Sequence, residues 1–300
     1  MKILLLGGTG QVGTELRRSL ADLGEVITTT RSGGGGLPDR APAIALDLSD
    51  LDSIAPLLAR IDPDVVVNAT AYTAVDRAEN DAELAHRINA AAPQRLAAAC
   101  AAQDAMLVHY STDYVFDGSG RRPYREDDPT SPLGVYGASK LAGEDAIRAS
   151  GARHLILRTA WVYAMHGQNF LRTMLRVGAE RDELRVVADQ VGSPTPAWLI
   201  ADLTATILHK GIDQSGVRNL VTAGQTSWHG FAEAIFDQAF TVGLVERKPR
   251  VVPITTAESP TPAQRPAYSV LDVSRLQAEY GVEIPHWRQA LHDTLAAHAS

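Results

Sequence analysis

Tyr136 and Lys140 stand four residues apart in the stretch Val135-Tyr-Gly-Ala-Ser-Lys140. If this stretch is helical, positions i and i+4 share one face, so the lysine ammonium lies beside the tyrosine phenol. A free phenol has a pKa of about 10 and exchanges protons poorly near neutral pH. A fixed positive charge nearby stabilises the phenolate and moves that pKa toward neutrality. The pair predicts a general acid, although the same spacing also occurs in ordinary surface pairs on helices.

A hydroxyl group accompanies this pair. Thr112 directly follows a predicted strand, Ala105–Ser111, in the sequence Ser111-Thr-Asp113. Ligands of parallel sheets bind beyond the carboxyl ends of the strands, where the hydroxyl can donate to a substrate carbonyl and steady the phenol of Tyr136. Read alone, the sequence is an ordinary cap at a strand end. Combined with Tyr136 and Lys140, it predicts a site that reduces a carbonyl group.

A glycine-rich turn separates the first predicted strand, Lys2–Leu6, from the first predicted helix, Gln11–Leu23. Its glycines allow a tight turn, close approach of the backbone to a ligand and close packing of helix on strand. The pyrophosphate of a dinucleotide can then bind the free amides at the helix N-terminus. The residues predicted to bind the cofactor here are Gly7, Gly10, Gln11, Val12 and Gly13.

The second and third predicted strands, Glu25–Thr29 and Ala43–Leu46, bear on the choice of cofactor. The second strand leads into Arg31 instead of the acidic residue that binds the ribose 2′-hydroxyl of NAD. A guanidinium suits a 2′-phosphate, so NADPH is favoured and NADH stays possible; a solvent-facing arginine is the alternative. Asp47 and Leu48 follow the third strand and could contact the adenine, but Asp47 also suits a helix N-cap.

Strands and helices alternate through the first half, with further strands predicted at 64–68 and 154–158 and helices at 53–61, 81–102 and 136–149. Unbroken Val/Ile/Leu strands in such an order indicate a parallel sheet covered on both faces. The predicted fold class is α/β, a Rossmann-type doubly wound parallel sheet with a smaller mixed α/β C-terminal substrate domain. The first domain is placed at 1–160 and the second at 161–300, with an interleaved boundary. Pro93 should kink the 81–102 helix or start a second segment, and Gly33–Gly36 reads as a connecting loop.

Composition narrows the class of protein. A net charge of -7 argues against a nucleic-acid partner. The opening apolar run, Ile3 to Leu6, is too short for a signal peptide or a membrane span. A cytoplasmic location is therefore expected. The nine histidines show no metal-ligand spacing, so no metal is expected.

The chain resembles the extended short-chain dehydrogenases/reductases, and among them it is similar to the dTDP-4-dehydrorhamnose reductases. The motifs that carry the resemblance run in order through the first 200 residues: 7–13, Asn68-Ala-Thr-Ala-Tyr-Thr-Ala-Val-Asp76, 111–118, 136–144, Leu157-Arg-Thr-Ala-Trp-Val-Tyr163 and Gln190-Val-Gly-Ser-Pro-Thr195. A weaker match follows at Arg265-Pro266, where the family usually has Arg-Pro-x-Asn-Ser. Tyr268 takes the place of that asparagine.

The resemblance implies a role for each matching residue. It makes Thr112, Tyr136 and Lys140 the catalytic trio and places Ala69, Ala71 and Tyr72 against the cofactor, which Lys140 also holds. It implies substrate contacts by Thr112, Asp113, Tyr136, Trp161, Asn169, Gln190 and Arg265. Packing alone could instead explain Trp161, and helix capping alone could explain Asn169. The implied reaction is NADPH-dependent reduction of the C4 ketone of dTDP-4-dehydro-6-deoxy-L-mannose to dTDP-L-rhamnose. A homodimer is compatible with it.

Two other functions remain open on the sequence. One is another nucleotide-sugar reductase or epimerase of the same superfamily; an epimerase would retain NAD and act without added reductant. The other is a non-catalytic regulatory subunit that binds a dinucleotide, similar to that of methionine adenosyltransferase. Such a protein often loses part of the catalytic trio, whereas this chain keeps all three residues.

Overall fold

The computed structural model describes residues 1–34, 42–212 and 214–299. Gly35 and Gly36 of the predicted loop lie outside these ranges. The strands are β1 Lys2–Leu6, β2 Glu25–Thr30, β3 Ile44–Ala45, β4 Val65–Asn68, β5 Met106–Thr112, β6 His154–Thr159, β7 Val162–Tyr163, β8 Glu183–Val187, β9 Val191–Gly192, β10 Thr195–Pro196, β11 Gly216–Asn219, β12 Thr226–Ser227 and β13 Arg250–Ile254.

The α-helices are α1 Gln11–Ser19, α2 Ile54–Ile61, α3 Val75–Ala78, α4 Ala82–His86, α5 Ala92–Ala102, α6 Val135–Ala149, α7 Phe170–Glu180, α8 Ala197–Lys210, α9 Trp228–Thr241, α10 Ser274–Tyr280 and α11 Trp287–Ala296. Among the described residues, no helix is both long and apolar enough to cross a membrane.

Within the described residues, seven parallel strands form the central sheet in the order β11-β6-β5-β4-β1-β2-β3. Every residue of β4, β5 and β6 is buried, as expected for a parallel sheet covered on both faces. Apolar residues of α1 and α8 pack on one face, and those of α2, α5 and α6 pack on the other. The predicted Rossmann-type doubly wound sheet is therefore confirmed.

Two helical predictions need correction. The helix predicted at 81–102 is divided into α4, a π-helical segment Arg87–Ala91 and α5. Pro93 lies in the first turn of α5, directly after the π-helical segment. It therefore starts a second segment, which was one of the two alternatives expected for it. The first helix is shorter than predicted, since α1 ends at Ser19 and a 3₁₀ turn, Ala21–Leu23, follows.

The C-terminal half contains a smaller mixed α/β unit. Helices α7, α9 and α11 enclose a second apolar core, and β8 and β13 pair in parallel beside α9. Part of this half returns to the large sheet, because α8 packs on α1 and β11 pairs with β6. The functional division near residue 160 stays a prediction.

Candidate active site

A cavity of about 650 Å³ opens at the carboxyl ends of the central strands. Its volume lies in the range typical of ligand pockets. The cavity lining includes every residue predicted to bind the cofactor except Gly13: Gly7, Gly10, Gln11, Val12, Arg31, Asp47, Leu48, Ala69, Ala71, Tyr72 and Lys140. Residues far apart in the sequence are thus brought to one cleft, which also contains Tyr136.

The glycine turn has the geometry that a bound pyrophosphate needs. Gly7 has a φ of 82°, a conformation that side chains disfavour. A Cβ on Gly13 would lie 2.1 Å from the carbonyl oxygen of Gly7, so only glycine allows α1 to pack this closely. Gly10 begins α1 without a side-chain cap, which leaves the first amides of the helix available for an anion.

Arg31 and Asp47 both line the cavity, and the charge of Arg31 acts on the Asp47 carboxylate. The Asp47 Oδ1 accepts a hydrogen bond of 2.9 Å from the amide of Ser49. The Ser49 hydrogen bonds, with the charge of Arg31 adding to them, lower the pKa of Asp47. Asp47 caps neither following helix, since Asp50 and Ser53 hold the N-cap positions there. The helix-cap alternative for Asp47 is therefore wrong.

Tyr136 lies in the first turn of α6, and its hydroxyl meets the side chain of Thr112 at the end of β5. The Thr112 hydroxyl donates to the Asp113 Oδ1 over 3.0 Å, so it can accept from the phenol. Burial raises the pKa of Tyr136 to about 12, while the Thr112 contact lowers it. The expectation that Lys140 draws the pKa of Tyr136 toward neutrality is thus not met.

The direction of the Lys140 side chain explains that difference. The Lys140 Nζ donates to the carbonyl oxygen of Tyr110 over 2.6 Å and lies 3.1 Å from the His109 Nε2. Both partners belong to β5, so the amine is held against the strand. Burial lowers the pKa of Lys140 to about 8, and the nearby Glu144 carboxylate opposes that change.

A buried ion pair under the site was missed by the sequence analysis. Glu144 accepts from the Arg158 Nε over 2.9 Å and from the Arg158 Nη2 over 2.7 Å, and it also accepts from the hydroxyl of Ser111. Glu144 and Arg158 are almost fully buried. The available signals were the four-residue spacing of Glu144 from Lys140 and an arginine within an apolar strand.

Two of the predicted substrate residues lie just beyond the ends of central strands: Asp113 follows β5, and Trp161 follows β6. Asp113 is 2% exposed, and its Oδ2 has no hydrogen-bond partner among the described residues. Burial raises the pKa of Asp113 to about 6. Trp161 follows β6 with a φ of 46° and stacks on Trp228, with ring centroids 3.5 Å apart. Its indole also lies against Gly192, where a Cβ would be 2.6 Å from the ring.

The remaining predicted substrate residues have protein partners. Asn169 caps α7 through its Oδ1, and its Nδ2 donates to the Gln11 Oε1 over 2.7 Å. The Gln190 Nε2 donates to the hydroxyl of Thr256. Arg265 makes a two-point ion pair with Asp76, at 3.0 and 2.8 Å. These three residues line no part of the cofactor cavity.

The doubly wound sheet, its glycine turn and the Tyr-Lys pair at one cleft, with Thr112 against the tyrosine, define the extended short-chain dehydrogenase/reductase class. Within it, the whole chain matches the model of the RmlD substrate binding domain family, over residues 1–300, and the chain belongs to that family.

Individual relatives agree with this assignment. The chain is 48% identical to the dTDP-4-dehydrorhamnose reductase of Burkholderia thailandensis, with 97% of each chain covered. It is 43% identical to the enzyme of the same name from Salmonella typhimurium, covering 96% of this chain and 94% of that one. A crystal structure of the Bacillus anthracis dTDP-4-dehydrorhamnose reductase in complex with NADP is 32% identical, with a TM-score of 0.89 and coverage of 99% and 100%.

Proposed function

We propose that this chain is an NADPH-dependent reductase of a nucleotide sugar, converting dTDP-4-dehydro-6-deoxy-L-mannose into dTDP-L-rhamnose. The observation that carries the proposal is the near full-length similarity to enzymes of that name, at 48% and 43% identity. Tyr136 and Lys140 supply the chemistry that this reaction needs, at the cavity suited to the cofactor. NADPH is the proposed reductant, with NADH as a second possibility.

The cofactor fits the residues that are present. Gly13 lets α1 pack closely on the glycine turn, and the uncapped start of α1 leaves its first amides available for a pyrophosphate. Arg31 offers a positive charge for a 2′-phosphate. Bound NADPH would supply the hydride for the C4 carbon of the keto-sugar. Lys140, which lines the same cavity, would hold the ribose next to the nicotinamide.

The protein's own residues handle the proton. Tyr136 donates its phenolic proton to the C4 oxygen as negative charge develops there, so the ketone gains a hydride and a proton to become an alcohol. Thr112 hydrogen-bonds the same oxygen and orients the phenol, which it already contacts. Lys140 in its ammonium form stabilises the phenolate that remains. The high pKa of Tyr136 keeps the hydroxyl protonated before the reaction, as a proton donor requires.

A substrate comparison tests the proposed function. NADPH oxidation should be fast with dTDP-4-keto-L-rhamnose and slower with its UDP and D-xylo counterparts, and the product should be identified as dTDP-L-rhamnose. Turnover of a nucleotide sugar without added reductant would instead indicate an epimerase. Binding of NADPH with no turnover of any keto-sugar would favour a regulatory subunit. The cytoplasmic location and the homodimer expected from the sequence stay predictions.

Arg31→Asp should shift the cofactor preference from NADPH toward NADH. The change replaces a partner of the 2′-phosphate by a group that repels phosphate and accepts from a ribose hydroxyl. A charge-assisted hydrogen bond contributes about 1.5–3 kcal/mol, so kcat/KM for NADPH should fall by about ten- to a hundredfold. Arg60→Asp is the matched control, because Arg60 is exposed on α2 and does not line the cavity. An unchanged ratio of the two kcat/KM values in Arg31→Asp would remove Arg31 from the cofactor site.

Trp161→Ala should raise the KM for the keto-sugar by about three- to tenfold, the range expected for one aromatic contact. The proposal behind it is that residues after about 160 choose the sugar nucleotide. Trp161 offers a half-buried indole that follows β6, and it does not line the cofactor cavity. NADPH affinity should therefore stay near wild type, and Trp161→Phe should keep most of the substrate affinity. A variant that unfolds would show that the stack on Trp228 is needed for packing, which contradicts the substrate role.

A further inference from the structure

His109 lies in a buried chain of contacts that joins β4, β5 and α6. Its Nδ1 is 3.0 Å from the Nδ2 of Asn68, and its Nε2 is 3.1 Å from the Nζ of Lys140. Asn68 and His109 are 1% exposed and Lys140 is 2% exposed. Because water does not reach these groups, their hydrogen bonds must be made with each other or with the backbone.

Thr70 fixes the direction of the Asn68 amide. The Asn68 Oδ1 accepts from the backbone amide of Thr70 over 3.1 Å and from the Thr70 hydroxyl over 2.5 Å. A backbone amide can only donate, so the oxygen of Asn68 must face Thr70 and its NH₂ group must face His109. The His109 Nδ1 therefore accepts, and a neutral imidazole then carries its proton on Nε2.

The Nε2 proton of His109 points at the amine of Lys140. Burial lowers the pKa of His109 well below its usual value, so the ring is neutral. An ammonium group has three donors and no acceptor. The contact between the two nitrogens is a hydrogen bond only when Lys140 is an uncharged amine, whose own N–H still donates to the Tyr110 carbonyl.

We propose that His109, held by Asn68 in the Nε2–H tautomer, is a positioning residue that donates to Lys140 and favours the uncharged amine in the ligand-free enzyme. This inference rests on the proposed catalytic role of Lys140. The hydrogen bond from His109 explains why the Lys140 side chain lies against β5. It also brings the free energies of the amine and ammonium forms of Lys140 close together. Lys140 can then take up a proton from solvent and reach the ammonium form that stabilises the phenolate.

One carboxylate near Lys140 opposes the effect of burial on the pKa of the lysine. Glu144, on the same helix, favours the ammonium, but its carboxylate is already paired with Arg158 of β6. The remaining titratable groups that follow β5 or face the same cavity include Asp113, Tyr114, Tyr136, Tyr110, Arg31, Asp47, Tyr72 and Arg77. Asn68→Asp leaves all of these side chains in place and replaces the donor that faces the His109 Nδ1 by an acceptor.

Nitrogen-15 NMR of the wild-type enzyme without cofactor tests the tautomer directly. The ring shifts of His109 should show the proton on Nε2, with the signal assigned by its loss in His109→Gln. The lysines of the chain are Lys2, Lys140, Lys210 and Lys248, so the amine of Lys140 is assigned by its loss in Lys140→Arg. A proton on Nδ1, or on both nitrogens, overturns the proposal without any variant of Asn68.

Asn68→Asp should move the proton of His109 to Nδ1, because a carboxylate oxygen accepts from it. The freed Nε2 then accepts from an ammonium, so the pKa of Lys140 measured by NMR should rise by about one unit or more. The new negative charge alone also raises the pKa of Lys140. The size of this charge effect is measured by adding Asn68→Asp to the His109→Gln variant, where no imidazole is present. An equal rise with and without His109 overturns the proposal. None of these readouts depends on turnover, so they stand apart from failure of the proposed function.

Discussion

Tyr136→Phe is expected to lower kcat by about 10²–10⁴-fold, the usual contribution of a positioned general acid. The change removes only the hydroxyl that meets Thr112. The ring keeps its edge-on contact with Tyr114, with centroids 5.6 Å apart, so the fold should be unaffected. Cofactor affinity should change little, because the glycine turn and Lys140 remain.

Single-turnover kinetics and cofactor titration separate these two effects. Tyr163→Phe is a suitable control, since Tyr163 lies in the C-terminal core and loses the same hydroxyl group. That variant should keep both kcat and cofactor affinity. If Tyr136→Phe reduces the keto-sugar at nearly the wild-type rate, Tyr136 is not the proton donor and the proposed mechanism fails.

The sequence predicted the parts of the site that depend on local spacing. Tyr136 and Lys140 are one helical turn apart. The glycine turn lies between a strand and a helix that could both be predicted from their sequence patterns. The direction of the Lys140 side chain could not be predicted in the same way. It is set by His109 and the Tyr110 carbonyl, which come from a strand about 30 residues earlier in the chain. The high pKa of the phenol follows from burial, which is a tertiary property.

The fold shows a similar division. The parallel sheet could be predicted because unbroken apolar strands alternate along the chain with amphipathic helices. No local pattern indicated that β11 would pair with β6, or that α8 would pack on α1. Those contacts join distant segments whose apolar residues suit several partners equally well. Pro93 indicated that the 81–102 helix would kink or divide, but no local pattern indicated the π-helical form of the segment Arg87–Ala91.

Glu144→Ala should lower the free energy of unfolding by about 3–5 kcal/mol, the cost of leaving one member of a buried ion pair alone. Arg158 would lose both of its contacts with the carboxylate, at 2.9 and 2.7 Å, in a place that water does not reach. It would keep its hydrogen bond of 3.1 Å to the carbonyl of Glu126 and its position over the Phe116 ring. Ser111 would lose its acceptor as well. Glu144→Gln preserves the size of the side chain and should destabilise less than alanine.

Asp145→Ala gives the matched comparison, because Asp145 is the next residue on α6 and pairs with Arg148 at the surface. That pair is about half exposed on both sides, at 47% and 59%, so its loss should cost at most about 1 kcal/mol. Urea unfolding of the three variants measures the difference. Equal midpoints for Glu144→Ala and Asp145→Ala would show that the buried pair contributes no more than a surface pair. A large gap would instead show that β5, β6 and α6, which carry the catalytic groups, are held together through Glu144.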